Sequence, residues 1–159
     1  MNIFKLLSVA ALSLFASQAV AETALTITGR YASGAQVVIQ YSIDDLKALD
    51  QTGYDTINDF VEVPTRFSGP LLRDVLAPLT LSQDATLEMT ALNDYQFDMP
   101  LTDAINYDVI VALEQNGATM SIRENRPLWI IYPMSDHPEL QAPIYNSRLI
   151  WLLTDIEVK

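Results

Sequence analysis

Few residues in this 159-residue sequence are equipped for chemistry: it has one histidine and no cysteine. Without a thiol there is no cysteine nucleophile, no iron–sulfur cluster and no thiolate metal site. A serine–histidine–aspartate triad would have to use His137, and no Gly-x-Ser-x-Gly elbow accompanies it. Asp136, His137 and Glu139 place three possible metal ligands almost in a row. Adjacent residues rarely converge on one ion, so the stretch reads better as a solvated loop. Acidic pairs such as Asp44-Asp45, or Asp55 with Asp59, arise by chance in so acidic a chain. A two-carboxylate glycosidase needs a set separation across a cleft, which sequence alone does not supply.

The arginines are Arg30, Arg66, Arg73, Arg123, Arg126 and Arg148. Each guanidinium is a planar fork suited to carboxylate, sulfate or phosphate. With 20 acidic against 9 basic residues and a net charge of −11, pairing with Asp or Glu is the default for any one of them. The same balance sets aside nucleic acid and anionic lipid, which need clustered Lys and Arg.

These side chains must be held by short elements. Leu25, Ile27 and then Val37, Ile39, Tyr41 alternate with small or polar residues across Ser33-Gly34, which predicts a hairpin with one buried face. Ser42 followed by Asp45 resembles a capping box for a short helix through Leu49. Ile57, Val61 and Val63 permit a strand. Gly69-Pro70 is expected to open a helix with Leu71, Leu72, Val75, Leu76 and Leu79 on its apolar face. Ala85 to Ala91 and Tyr95 to Met99 read as strands around an Asn93-Asp94 turn. Thr102 is the expected cap of a helical turn from Leu101 to Ile105. Val109 to Leu113 and Ala118 to Ile122 flank Asn116-Gly117, the clearest hairpin signal. Leu128 to Tyr132 and Arg148 to Val158 close the chain as strands, with Trp129 and Trp151 packed in the core. The expectation is an α+β fold of about nine strands and two or three short helices.

Met1 to Ala21 read as a secretory signal: Lys5, an apolar run from Leu6 to Phe15, then Ala19-Val20-Ala21 before a cut at Glu22. The run falls short of the roughly 20 apolar residues of a spanning helix. No cysteine follows it to carry a lipid. The expected product is one domain over 22–159, soluble in the periplasm, with secretion as the alternative and no membrane insertion.

Three segments then stand out: Arg66-Phe67-Ser68-Gly69-Pro70-Leu71-Leu72-Arg73-Asp74-Val75-Leu76, Ala91-Leu92-Asn93-Asp94-Tyr95 with Met99-Pro100-Leu101, and Arg126-Pro127-Leu128-Trp129-Ile130-Ile131-Tyr132-Pro133. With the final Arg148-Leu149-Ile150-Trp151 strand, their order resembles the oxidoreductase molybdopterin-binding domain of the sulfite oxidase type, over about Leu25 to Val158. The resemblance implies mixed, curved sheets with a few short helices around a pterin cleft. It also implies a cysteine thiolate on molybdenum, shortly before the aromatic-Gly turn. Here that stretch is Tyr54 to Phe60, and Thr56 marks the neighbourhood. A threonine hydroxyl is a hard ligand and does not replace a soft thiolate.

Arg66, Arg123, Arg126 and Arg148 all fall in or beside the matched segments. If they converge they make an anion-accepting cleft, with Asn93, Asp94, Tyr95 and Tyr132 as further polar contacts. The expected function is a binding module for a small anion, or for a periplasmic or membrane sensor or redox protein, with no catalytic residues, metal or cofactor. One alternative is a molybdopterin-dependent oxidoreductase with oxygen ligands at the metal. Another is a structural or assembly protein of the envelope.

Overall fold

Alternation builds the first sheet. In the computed structural model, which describes residues 22–120 and 128–159, β1 (Leu25–Arg30) and β2 (Gln36–Tyr41) form the expected hairpin. Leu25 faces Tyr41 and Ile27 faces Ile39 across it. Leu25 and Ile27 are fully buried, whereas Val38 on the opposite face is exposed. The signal expected at 1–21, and Arg123 and Arg126, lie outside the described residues.

The remaining strands are β3 (Gln51–Asn58), β4 (Val61–Pro70), β5 (Thr86–Ala91), β6 (Gln96–Pro100), β7 (Ile110–Ala112), β8 (Glu114–Gln115), β9 (Ala118–Thr119), β10 (Trp129–Ile131) and β11 (Leu153–Val158). The helices are α1 (Ile43–Ala48), α2 (Leu72–Val75), α3 (Leu101–Asn106) and α4 (Pro143–Ser147), with a 3-10 turn at Pro138–Gln141. The fold is α+β. A five-stranded sheet runs β2-β1-β11-β5-β6, a four-stranded sheet β3-β4-β8-β9, and β10 pairs with β7 alone. The large sheet is mixed, since β1 and β11 are parallel while β11 and β5 are antiparallel.

Local chemistry sets several of these elements. The Ser42 hydroxyl accepts from the Asp45 amide, and the Asp45 carboxylate accepts from the Ser42 amide, so the capping box is complete. Asn116 (φ 52°) and Gly117 (φ 75°) are both left-handed, the turn a two-residue hairpin wants. That turn joins β8 to β9, whereas β7 turns aside to pair with β10.

Three expectations are corrected. Gly69-Pro70 opens no helix: both residues end β4, and α2 starts only at Leu72. Gly69 is needed because β7 passes directly over it. A Cβ there would overlap the Val111 carbonyl oxygen and lie 2.9 Å from Ala112 Cα. Thr102 does not cap α3; Pro100 is the N-cap, without a side-chain bond. Arg148 to Val158 is not one strand. Arg148 is the C-cap of α4, which Pro143 opens, and β11 begins at Leu153.

A fully buried phenol, Tyr132, and a partly buried one, Tyr54, couple the fold to pH. Tyr54 donates to the Ile131 carbonyl at 2.7 Å, and Tyr132 donates to Asp103 at 2.8 Å. Burial pushes both well above the ordinary phenol range, and for Tyr132 the Asp103 carboxylate adds to the push. A folded-state value raised above the unfolded one leaves stability intact at neutral pH and erodes it as pH rises past the unfolded value. Stability should therefore fall above about pH 10, by up to about 1.4 kcal/mol per pH unit for each phenol. Urea midpoints followed from neutral into alkaline solution check this. The Y54F/Y132F double variant should flatten the alkaline limb; an unchanged slope would contradict the assignment.

Candidate functional site

Three turns converge on one concave surface. The first is the β3–β4 turn. Asn58 Oδ1 accepts from the amides of Phe60 (2.9 Å) and Val61 (3.2 Å), an Asx-type turn that throws Phe60 outward. The second is the β5–β6 turn, where Asp94 takes φ 62° and the Tyr95 amide donates to Asn93 Oδ1 at 3.3 Å. The third is the run from α4 to Trp151. Cross-bonds tie the three together: the Asp59 amide donates to Asn146 Oδ1 at 3.2 Å, and the Tyr95 hydroxyl to the Ser147 carbonyl at 3.3 Å.

Between them lies a cleft with two lobes that share Phe60, Leu149 and Trp151. The polar lobe, about 380 Å³, is also lined by Asp59, Asn93, Tyr95 and Asn146. The apolar lobe, about 340 Å³, is completed by Trp129. Asp59 is the one charged residue among the described lining.

Trp129 is pinned at the base. Its Nε1–H donates to the Leu149 carbonyl at 3.2 Å. Its ring stands edge-on to Phe67 at 5.4 Å and to Phe60 at 6.0 Å. Trp151 bridges Trp129 directly across an antiparallel pair, so the two indoles leave from the same face.

Leu152 then sits at φ 54°, a left-handed conformation costly for a residue with a Cβ. The Leu128 carbonyl is taken by the Leu153 amide, while the Leu152 carbonyl accepts from Leu92. This inserted residue lets the chain pass from the β10 ladder into β11. It also leaves Trp151 in solvent, 60% exposed beside Phe60 at 61%. Core packing, expected for both tryptophans, fails for Trp151 and holds only in part for the half-buried Trp129.

The described members of the expected arginine cluster, Arg66 and Arg148, do not line the cleft. Arg66 lies on β4, largely exposed, 3.6 Å from Asp55 and donating to the Gly53 carbonyl at 3.3 Å. Arg148 is half-buried and turned inward. Its Nη1 donates to Asp103 Oδ2 at 2.6 Å, the same oxygen that accepts from Tyr132. Its guanidinium lies 5.1 Å over the Tyr145 ring, and its Nε is buried without a partner. Tyr132 and Arg148 are thus brought together, on a carboxylate rather than in a cavity. Asn93 and Tyr95 line the polar lobe; Asp94 shapes their turn. Arg123 and Arg126 lie outside the described residues.

Thr56 is fully buried on β3. Its hydroxyl accepts from the Ser135 amide at 3.3 Å, and Ser135 Oγ accepts from the Ile57 amide at 3.0 Å. The hydroxyl therefore stitches β3 to the segment after Pro133. His137 meets Glu139 at 3.4 Å and Tyr107 edge-on at 5.1 Å. Among the described residues no cluster of three His, Asp or Glu side chains is placed to hold a metal. No described helix is long and apolar enough to cross a membrane.

Molybdopterin is anionic at its phosphate and binds molybdenum through sulfur. The cleft offers aromatic faces, neutral amides and a carboxylate, and no described arginine lines it. The described donor set does not fit that group.

Sequence reasoning missed Asp59, Phe60, Trp129, Asn146 and Trp151 as cleft residues. The signal for Phe60 was a large aromatic placed after Asn58-Asp59, in turn composition, with no packing partner in its own hairpin. The signal for Trp151 was Ala142-Pro143, which marks a helix start and so moves Arg148 and Trp151 out of the final strand.

In comparison with protein families, residues 16–135 match the model described as Oxidoreductase molybdopterin binding domain. The match takes in Asp59, Phe60, Asn93, Tyr95 and Trp129, whereas α4 and Trp151 lie beyond it. A search of curated proteins gives no match.

Proposed function

The chain belongs to the oxidoreductase molybdopterin-binding domain family, and on that premise we propose that it is an exported, periplasmic binding module that uses the family fold without molybdenum catalysis. One observation carries this reading: the cleft is walled by Phe60, Trp129 and Trp151 beside Asp59, in a chain with no cysteine. Its volume suits a small ligand, and its convergent polar groups sit on one side of an apolar wall, the usual make-up of a binding pocket. Nothing in that lining is a nucleophile paired with a base, so binding is the chemistry it supports.

The small-anion version of this reading draws little support from the described arginines, since Arg66 and Arg148 each already face a carboxylate. Occupancy of the cleft would be signalled through α4 and the β5–β6 turn, which share its wall, to a sensor or redox partner in the envelope.

Metal and pterin analysis of the exported protein tests the reading. Protein taken from cells that make the cofactor should carry neither molybdenum nor pterin. One molybdenum and one pterin per chain would restore the oxidoreductase with oxygen ligands.

A further inference from the structure

We propose that the cleft takes a small organic cation, a quaternary ammonium group above all. The inference rests on the binding-module reading and names the ligand class of the same site.

The walls carry the first part of the argument. An aromatic ring has a negative face, and a cation held against two or three such faces is attracted without a full ion pair. Phe60 and Trp129 meet at an interplanar angle of 69°, with centroids 6.0 Å apart, which makes two sides of a corner. Trp151 leaves the same face of the Trp129 pair and lines the same lobe. One wall is preorganised, because Trp129 is held by the Leu149 carbonyl and by Phe67. A wall already fixed costs little ordering when a ligand arrives.

Charge carries the second part. Asp59 lines the polar lobe next to Phe60, which both lobes share, and no described cation pairs with it. The chain as a whole is at −11. That field draws cations toward the cleft and repels the sulfate, phosphate or molybdate that an arginine-lined cleft would have collected. A quaternary ammonium suits the site better than a primary amine. Its methyl groups fill an apolar lobe, and it gives up less hydration on entry. The lobe of about 340 Å³ holds such a headgroup, and the polar lobe beside it offers Asn93, Tyr95 and Asn146 to whatever it is attached to.

The chain supplies its own probe. Its two tryptophans are Trp129 and Trp151, and both line the apolar lobe, so tryptophan-selective emission reports on the cleft. The experiment titrates the full exported protein with choline chloride and with 3,3-dimethyl-1-butanol, its uncharged isostere, at matched ionic strength. Sodium sulfate and sodium molybdate serve as the anion arm.

Choline should change the emission saturably, and the neutral isostere should need at least about tenfold more to do the same. D59N should weaken choline severalfold and leave the isostere unchanged. F60A removes a largely exposed ring, keeps both indoles, and should weaken choline at an unaltered melting temperature. Equal response to the isostere, saturation by an anion instead, or no saturable response to choline would each overturn the cation inference. None of those outcomes brings molybdenum into the protein. Finding molybdenum and pterin bound at one per chain would be the separate failure of the binding-module reading.

Discussion

Gly69→Ala is expected to cost at least about 3 kcal/mol of stability, a large share of what a domain of this size holds. The reason is a backbone crossing. A methyl group at Gly69 would overlap the Val111 carbonyl oxygen and sit 2.8 Å from the Val111 carbonyl carbon and 2.9 Å from Ala112 Cα. These are main-chain atoms of a central, fully buried strand, and β7 is held in turn by β10. No side chain can swing aside, so two packed strands must separate. The melting temperature should drop by about 10 °C or more, read by circular dichroism. Gly34 is the control. It is left-handed at φ 81° with nothing within 4 Å of an added Cβ. Gly34→Ala pays only the conformational cost, about 1 kcal/mol. If the two variants melt together, the close approach is not what constrains Gly69.

Asp103→Ala should be the next most damaging change, at about 3–5 kcal/mol. One carboxylate oxygen receives both Tyr132 and Arg148, and the side chains of Asp103 and Arg148 are only 8% and 14% exposed. Removing the acid leaves a buried guanidinium whose Nε already lacks a partner. Arg148 also stacks on Tyr145 and ends α4, so the loss spreads to the wall that holds Asn146 and Leu149. Pairing the change with Arg148→Met should recover much of the loss, because an empty pair is cheaper than a broken one. Urea denaturation of the two single variants and the double one measures this. Purely additive losses would show that Asp103 and Arg148 do not act as a unit.

Local chemistry was readable from the chain, and long-range placement was not. The Ser42–Asp45 capping box and the Asn116-Gly117 turn depend on residues within a few positions of each other, and both formed as expected. The β1–β2 hairpin followed from alternation, since one face must be buried. Gly69-Pro70 was misread because the same dipeptide suits a helix start and a strand that needs a bare Cα. Only the crossing of β7 distinguishes them. Arg148 looked like one member of an anion cleft. Its fate was decided by Asp103, 45 positions away, which no spacing rule connects to it. Trp151 is exposed through the left-handed turn at Leu152, and leucine gives no warning of that conformation.

Thr56 spends its hydroxyl on the Ser135 amide, and Arg66 and Arg148 spend their charge on Asp55 and Asp103. What faces the cleft is an aromatic corner with a carboxylate beside it, part of it built from residues past the matched span. Such a surface supports the binding role proposed above.

The most direct test is molybdenum and pterin per chain. The full protein is purified from the envelope of cells that make the cofactor, and in parallel from cells that cannot. Molybdenum is read by mass spectrometry and pterin by the fluorescence of its oxidised form. The account predicts that the two preparations are indistinguishable. One molybdenum and one pterin per chain, present only in the first preparation, would contradict it.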